Sequence, residues 1–216
     1  MTPRRRRFLA LGDSYTIGEG VAPAERWPVQ LVERLRSEGA EVEDPEIIAT
    51  TGWTTDELWA GMDRASPSGD CAMVSLLIGV NNQYRGRSAD DYRAEFRGLL
   101  DRAITLARND PSRVMVLAIP DWGVTSFATG GGRNRAAIAR EIDAFNAVNR
   151  EETLGRGARY VDTTEASRSA RGDATLTAAD GLHPSGRLYG MWTALALPVA
   201  RAILEQPDDR GQGAPS

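Results

Sequence analysis

Alternation constrains this chain more than any other feature. Short apolar runs rich in Val, Ile and Leu occur at Phe8–Leu11, Ile47–Thr50, Met73–Ile78, Val114–Ile119 and Tyr160–Val161. Each is too short for a stable helix. Several lack the polar alternation of a half-exposed strand, as strands covered on both faces do. Between them lie longer segments with apolar residues at helical spacing: Arg26–Ser37, Asp56–Arg64, Ala89–Arg108, Asn134–Leu154 and Arg187–Leu204. The third of these carries Tyr92, Phe96, Leu99, Leu100, Ala103 and Leu106 at steps of three and four. Thr54-Thr55 stands where the second would be capped. Strand–helix alternation of this kind predicts an α/β fold with helices on both faces of a parallel sheet. Five such strands fit a flavodoxin-like doubly wound sheet, in which ligands bind beyond the carboxyl ends of the strands.

The 216 residues suggest one domain. We assign 1–205 to it and expect the polar, Gly- and Pro-rich stretch 206–216 to be a disordered tail. The Arg4–Arg7 cluster is expected to be a solvated, frayed terminus. The apolar run after it stops after four residues at Gly12, shorter than a secretory signal requires, so a cytoplasmic location is expected. No stretch approaches the ~20 apolar residues of a membrane span.

Composition removes several chemistries. The chain contains no lysine, which excludes a Schiff-base lysine, a Ser–Lys dyad and a P-loop lysine. A lone cysteine, Cys71, excludes an intrachain disulfide and a multi-cysteine zinc site, and it reads as a packed core thiol. A formal net charge of -4 offers no global basic field for nucleic acid.

Four short segments carry candidate chemistry. The first strand runs into Gly12-Asp13-Ser14-Tyr15, which places Ser14 just past the strand's carboxyl end. The rival reading is a Gly-Asp-Ser turn with Ser14 capping the next helix. Near the other end, Asp180-Gly-Leu-His183-Pro184 sets a carboxylate three residues before the only histidine. On a tight turn the Asp can hold one ring nitrogen and leave the other as a base. The rival is a structural turn before the last helix. Asn81, after the third run, can point a side-chain N–H at a developing oxyanion, where one such donor contributes ~3–4 kcal/mol. Gly52, after the second run, has no side chain to block its backbone N–H. Each of these also reads as ordinary turn chemistry. Together they fall after strands one, two and three and before the last helix, places that converge on one sheet edge.

With those residues in place, the chain resembles the GDSL/SGNH hydrolases. That family takes its second name from Ser, Gly, Asn and His in four ordered blocks. Here they correspond to Ser14, Gly52, Asn81 and His183, with Asp180 as the acid three residues before the histidine. The resemblance runs from roughly Phe8 to Arg187. It implies a three-layer α/β/α fold, a Ser14–His183–Asp180 triad and an oxyanion hole of Ser14 N–H, Gly52 N–H and the Asn81 amide. It also implies hydrolysis of a small-molecule ester or thioester without a metal or organic cofactor. Two positions depart from the family pattern. Tyr15 replaces the Leu of the family name, which bears on substrate preference. Asn82 replaces the usual Asp after Asn81, which is expected to change the supporting hydrogen bonds.

The expected reaction is cleavage of carboxylic esters, preferably short-acyl, because no long apolar segment is left to cover a lipid chain. Thioesterase, lysophospholipase or carbohydrate acetylesterase activity on the same triad stays open, because specificity lives in pocket contacts. A flavodoxin-like ligand-binding module is the non-enzymatic alternative, although Gly12 to Gly20 lacks the dinucleotide glycine spacing. Tyr15, Trp53, Asn82, Asp121 and Trp122 are the expected pocket residues, with core packing as the rival at Trp53 and a plain turn as the rival at Asp121-Trp122. Gly130-Gly131-Gly132 reads as a mobile loop and a candidate lid.

Overall fold

The computed structural model describes residues 6–130 and 132–206. Five strands, β1 (Phe8–Gly12), β2 (Glu46–Ala49), β3 (Met73–Leu77), β4 (Val114–Leu117) and β5 (Arg159–Val161), form one parallel sheet in the order β2-β1-β3-β4-β5. This is the doubly wound order expected of a flavodoxin-like sheet. Leu11 pairs with Ile48 on one side and with Leu76 on the other. Every residue of β1, β3 and β4 is buried, which is why those runs lack polar alternation.

Nine helices connect the strands among the described residues: α1 (Ser14–Ile17), α2 (Trp27–Ser37), α3 (Thr55–Ala65), α4 (Val80–Tyr84), α5 (Ala89–Leu106), α6 (Ser126–Gly130), α7 (Arg135–Gly155), α8 (Thr164–Arg168) and α9 (Gly186–Leu204). The five long ones match the periodic segments to within two residues. In this strand order, α2 and α9 pack together on one face, while α3, α5 and α7 cover the other. Thr54 caps α3 in a capping box with Glu57, whose carboxylate accepts from the Thr54 N–H at 2.8 Å. Trp27, Trp192, Tyr92, Tyr189 and Phe96 are the largest fully buried side chains of the helices. Cys71 lies in the core, where burial pushes its thiol up to about 11.

The short helices α1 and α4 begin soon after the carboxyl ends of β1 and β3, and α6 follows β4 after a 3-10 turn, so all three lie in connections that leave the same edge of the sheet. Gly12 makes the first of these connections possible. A Cβ there would overlap Thr16 Oγ1 and the Leu77 carbonyl.

One expectation needs revision. Arg6 and Arg7 are not frayed. Arg6 forms a parallel bridge with Val42, and its guanidinium donates to the Leu204 carbonyl. Arg7 pairs with Glu46 at 2.8 Å and with Asp70. The sheet edge offers backbone and carboxylate partners that a terminal arginine run does not reveal in sequence. Arg4 and Arg5 lie outside the described residues, as do Gly131 of the expected lid and the expected tail beyond Gln206. No described helix is long and apolar enough to cross a membrane.

Candidate active site

Ser14 is the first residue of α1, directly beyond β1, and it is almost fully buried. It does not cap that helix. Asp13 does, accepting from the Tyr15 N–H at 3.0 Å. With the cap supplied by its neighbour, the Ser14 hydroxyl is free for another task. Asp13 is itself wholly buried, and burial pushes its carboxyl up to about 7, against the lowering effect of the Tyr15 N–H.

The loop before α9 carries the histidine. His183 Nδ1 lies 2.6 Å from Asp180 Oδ2. The other carboxylate oxygen accepts from the Leu182 N–H at 2.9 Å and the His183 N–H at 3.0 Å. One side chain therefore closes the turn and holds the imidazole together. Partial burial acts to raise the Asp180 carboxyl, but the bonds from the imidazole and the two N–H groups outweigh it, and Asp180 sits below the usual carboxylate range. The loop is pinned at both ends. Ala178 N donates to the His183 carbonyl at 2.7 Å, and Ser185 N donates to the Leu176 carbonyl at 3.0 Å. Ser185 then caps α9. The imidazole packs on the Tyr15 ring, centroids 5.1 Å apart, and Tyr15 meets the buried Trp192 at 6.3 Å.

Asn81, in α4 beyond β3, donates from Nδ2 to the Trp53 carbonyl at 2.9 Å and lies 3.5 Å from Asp13 Oδ2. Arg85 donates to the Gly52 carbonyl at 2.7 Å. These bonds fasten the loop after β2 beside α4, which brings Gly52 to the same edge as Asn81. Gly52 has φ +85°, a left-handed conformation that favours glycine, and open space where a Cβ would stand. Among the described residues, neither the Ser14 N–H nor the Gly52 N–H donates to a protein acceptor.

Ser14, Tyr15, Asn81, Trp122 and His183 line one cavity of about 170 Å3. Val80, Tyr84, Phe127 and Leu182 complete its wall. Asp180, bonded to the imidazole, and Gly52 are not among the residues that line it. Among the described residues no hydrogen bond joins Ser14 to His183, and no cluster of side chains fit to hold a metal ion occurs.

Three expected pocket residues point elsewhere. Asn82 is fully buried and braces α3: its Oδ1 accepts from the Thr55 N–H at 3.1 Å, and its Nδ2 donates to Thr55 Oγ1 at 2.6 Å and to Glu95 at 3.3 Å. Asp121 is also buried. It caps a 3-10 turn through the Gly123 N–H at 3.0 Å and pairs with Arg168 at 3.0 Å. Trp53 packs against Gly61 of α3 with Arg64 over its ring. Strand-end position alone does not say which way a turn residue points. Sequence reasoning missed Asp13, Tyr84, Phe127 and Leu182. Leu182 and Asp13 adjoin the motif residues, whereas nothing in the sequence near Tyr84 or Phe127 marks them as part of a site.

The family model for GDSL-like lipases and acylhydrolases matches residues 10–190. The chain belongs to that family. This hydrolase is therefore a carboxylic ester hydrolase. Solved structures share its fold. TesA superposes with a TM-score of 0.71 at 19% identity, covering 92% of this chain and 99% of that one. AlinE4, an SGNH-hydrolase family esterase, gives 0.65 at 20% identity, covering 94% and 98%. An extracellular lipase from Streptomyces rimosus gives 0.61 at 18% identity, covering 92% and 99%. At these identities the likeness is one of fold. No curated protein matches the hydrolase by sequence.

Proposed function

We propose that this hydrolase cleaves short-acyl carboxylic esters with Ser14 as nucleophile, His183 as general base and Asp180 as the group that orients His183. One observation carries the reading: an imidazole held by a carboxylate at 2.6 Å lines the same cavity as Ser14 and Asn81. With Nδ1 bound to Asp180, His183 presents Nε2 as the basic nitrogen. It takes the Ser14 proton as Oγ attacks the ester carbonyl. The resulting oxyanion is received by the N–H groups of Ser14 and Gly52 and by the Asn81 amide. Protonated His183 then gives its proton to the leaving alcohol. A water activated by the same nitrogen releases the acid and restores Ser14. In free enzymes the nucleophile–base contact is often long and tightens when substrate fills the site.

The cavity volume supports a short acyl group. A cavity of about 150 Å3 holds one benzene molecule, so about 170 Å3 holds about six carbons. A series of p-nitrophenyl esters from acetate to palmitate, run on wild type and Ser14→Ala, tests both parts. Release should peak at short chains and fall by at least ~10^3-fold in Ser14→Ala. A peak at long chains overturns the short-acyl assignment. Release no higher than the Ser14→Ala blank on every ester overturns the nucleophile.

A further inference from the structure

We propose that Arg85 is a positioning residue for the oxyanion hole: by gripping the Gly52 carbonyl it fixes the direction in which the Gly52 N–H points. This rests on the Gly52 N–H receiving the oxyanion, as above. Residues 50–53 form a turn in which Trp53 N donates to the Thr50 carbonyl at 3.3 Å. Gly52 is the third residue of that turn, with φ +85°, as in a type II turn. An oxyanion donor must hold its N–H close to one direction, because a hydrogen bond weakens steeply as it bends. Glycine admits the left-handed geometry but does not enforce it, since it populates positive and negative φ about equally. No atom lies within 4 Å of the place where a Cβ would stand, so packing around that position does not enforce it either. The direction is set by what holds the loop from outside.

Two donors of α4 and its C-terminal end hold it. Asn81 and Arg85 are four residues apart, the spacing that places side chains on one helix face. They take successive carbonyls of the loop. Arg85 Nη2 donates to the Gly52 carbonyl at 2.7 Å, and Asn81 Nδ2 donates to that of Trp53 at 2.9 Å. The two differ in what else they do. Asn81 lines the cavity and has an oxyanion to meet, whereas Arg85 is not among the lining residues and acts on the loop. Arg85 Nη1 also donates to Glu57 Oε1 at 3.2 Å, and Glu57 Oε2 accepts from the Thr54 N–H at 2.8 Å, the bond that caps α3. The guanidinium therefore joins the Gly52 carbonyl to the first turn of α3 and fixes the loop where it leaves the turn. On the entry side, Thr51 Oγ1 donates to Glu19. A planar fork that reaches two acceptors at once suits this task better than an ammonium. The Arg85 side chain is half-exposed, so its replacement leaves the core intact.

Kinetics with p-nitrophenyl butyrate on wild type, Arg85→Met and Arg85→Lys test the proposal. Removal of an oxyanion donor costs about 10^2- to 10^3-fold in kcat, and a misdirected donor should cost less. Arg85→Met is expected to lower kcat about 10- to 100-fold with KM within about threefold of wild type. Arg85→Lys can still donate one bond to the carbonyl and should recover at least about threefold of that loss. A short alkyl trifluoromethyl ketone adds to a serine as a hemiketal that carries the oxyanion. Its inhibition constant should rise in Arg85→Met by about the factor by which kcat/KM falls. A partly unfolded population lowers kcat and leaves that constant unchanged. An unchanged constant therefore overturns the proposal, as does a fall in kcat of less than about fivefold. The route through Gly52 is read from a double-mutant cycle with Gly52→Ala. Both changes act on one N–H, so the combined loss of kcat should depart from the product of the single losses by more than about threefold, and agreement with the product overturns that route. Wild-type kcat in Gly52→Ala, or wild-type release by Ser14→Ala, would contradict the reading of the site itself and the proposal with it.

Discussion

Asn82 stands where the family usually has Asp, and its surroundings give that departure a measurable cost. The side chain is wholly buried and makes three bonds, to the Thr55 N–H, Thr55 Oγ1 and Glu95. Thr55 Oγ1 donates to Glu95 as well, so these groups form one closed set. Asn82→Ala removes three hydrogen bonds worth about 1 kcal/mol each and leaves the Thr55 N–H buried without an acceptor. The expected loss is about 3–4 kcal/mol, a large part of a typical stability of 5–15 kcal/mol. At a slope of ~2–3 kcal/mol per molar urea, the midpoint should fall by about 1–2 M. Asn82→Asp is the sharper test, because it restores the family residue. It sets a second carboxylate about 3.3 Å from Glu95. At an effective dielectric of ~20 that repulsion is about 5 kcal/mol, of which Arg87, 3.2 Å from Glu95, offsets part. A carboxyl pair so close retains a proton, so the introduced pair titrates higher folded than unfolded. Its stability relative to wild type should therefore be greatest near pH 4 and fall as pH rises to 8. Urea melts of both variants against wild type, at several pH values, read this directly. An Asn82→Asp variant as stable as wild type at pH 8 would refute the view that a neutral amide is required opposite Glu95.

Asp13 gives a second pH test. Its carboxyl is pushed up to about 7 by burial, so the unfolded chain ionises first as pH rises. Stability should be full below about pH 4, decline by about 4 kcal/mol as pH rises through 7, and level off above it. Asp13→Asn should lack that decline, and parallel urea-derived stability curves for the two proteins would count against it. Asp180→Asn should keep the turn while misdirecting the imidazole, lowering kcat by up to ~10^4-fold with KM little changed. A drop in KM alone, seen in steady-state kinetics, would oppose the orienting role.

Much of this was legible in the sequence because β1, β3 and β4 are buried on both faces and so read as uninterrupted apolar runs. The capping Thr54 and the apolar stripe of α5 announced their helices in the same way. That Ser14, Asn81 and His183 would share one cavity was legible because each sits in a short segment with chemically matched residues around it. Direction at a turn was not. Asn81 faces the cavity while Asn82, one residue on in α4, is turned toward α3 and α5. Asp121 is drawn inward by Arg168, 47 residues away in sequence. Tyr84 and Phe127 join the site because α4 and α6 lie in the segments that follow β3 and β4, and helices of five residues leave no periodicity to detect.

The central claim is that Ser14 and His183 form the reacting pair, and the chain holds no second imidazole to substitute. The most direct measurement is turnover of p-nitrophenyl butyrate by His183→Ala, after circular dichroism shows that the variant is folded. The account predicts a loss of kcat of about 10^4- to 10^6-fold. Turnover within tenfold of wild type would contradict it.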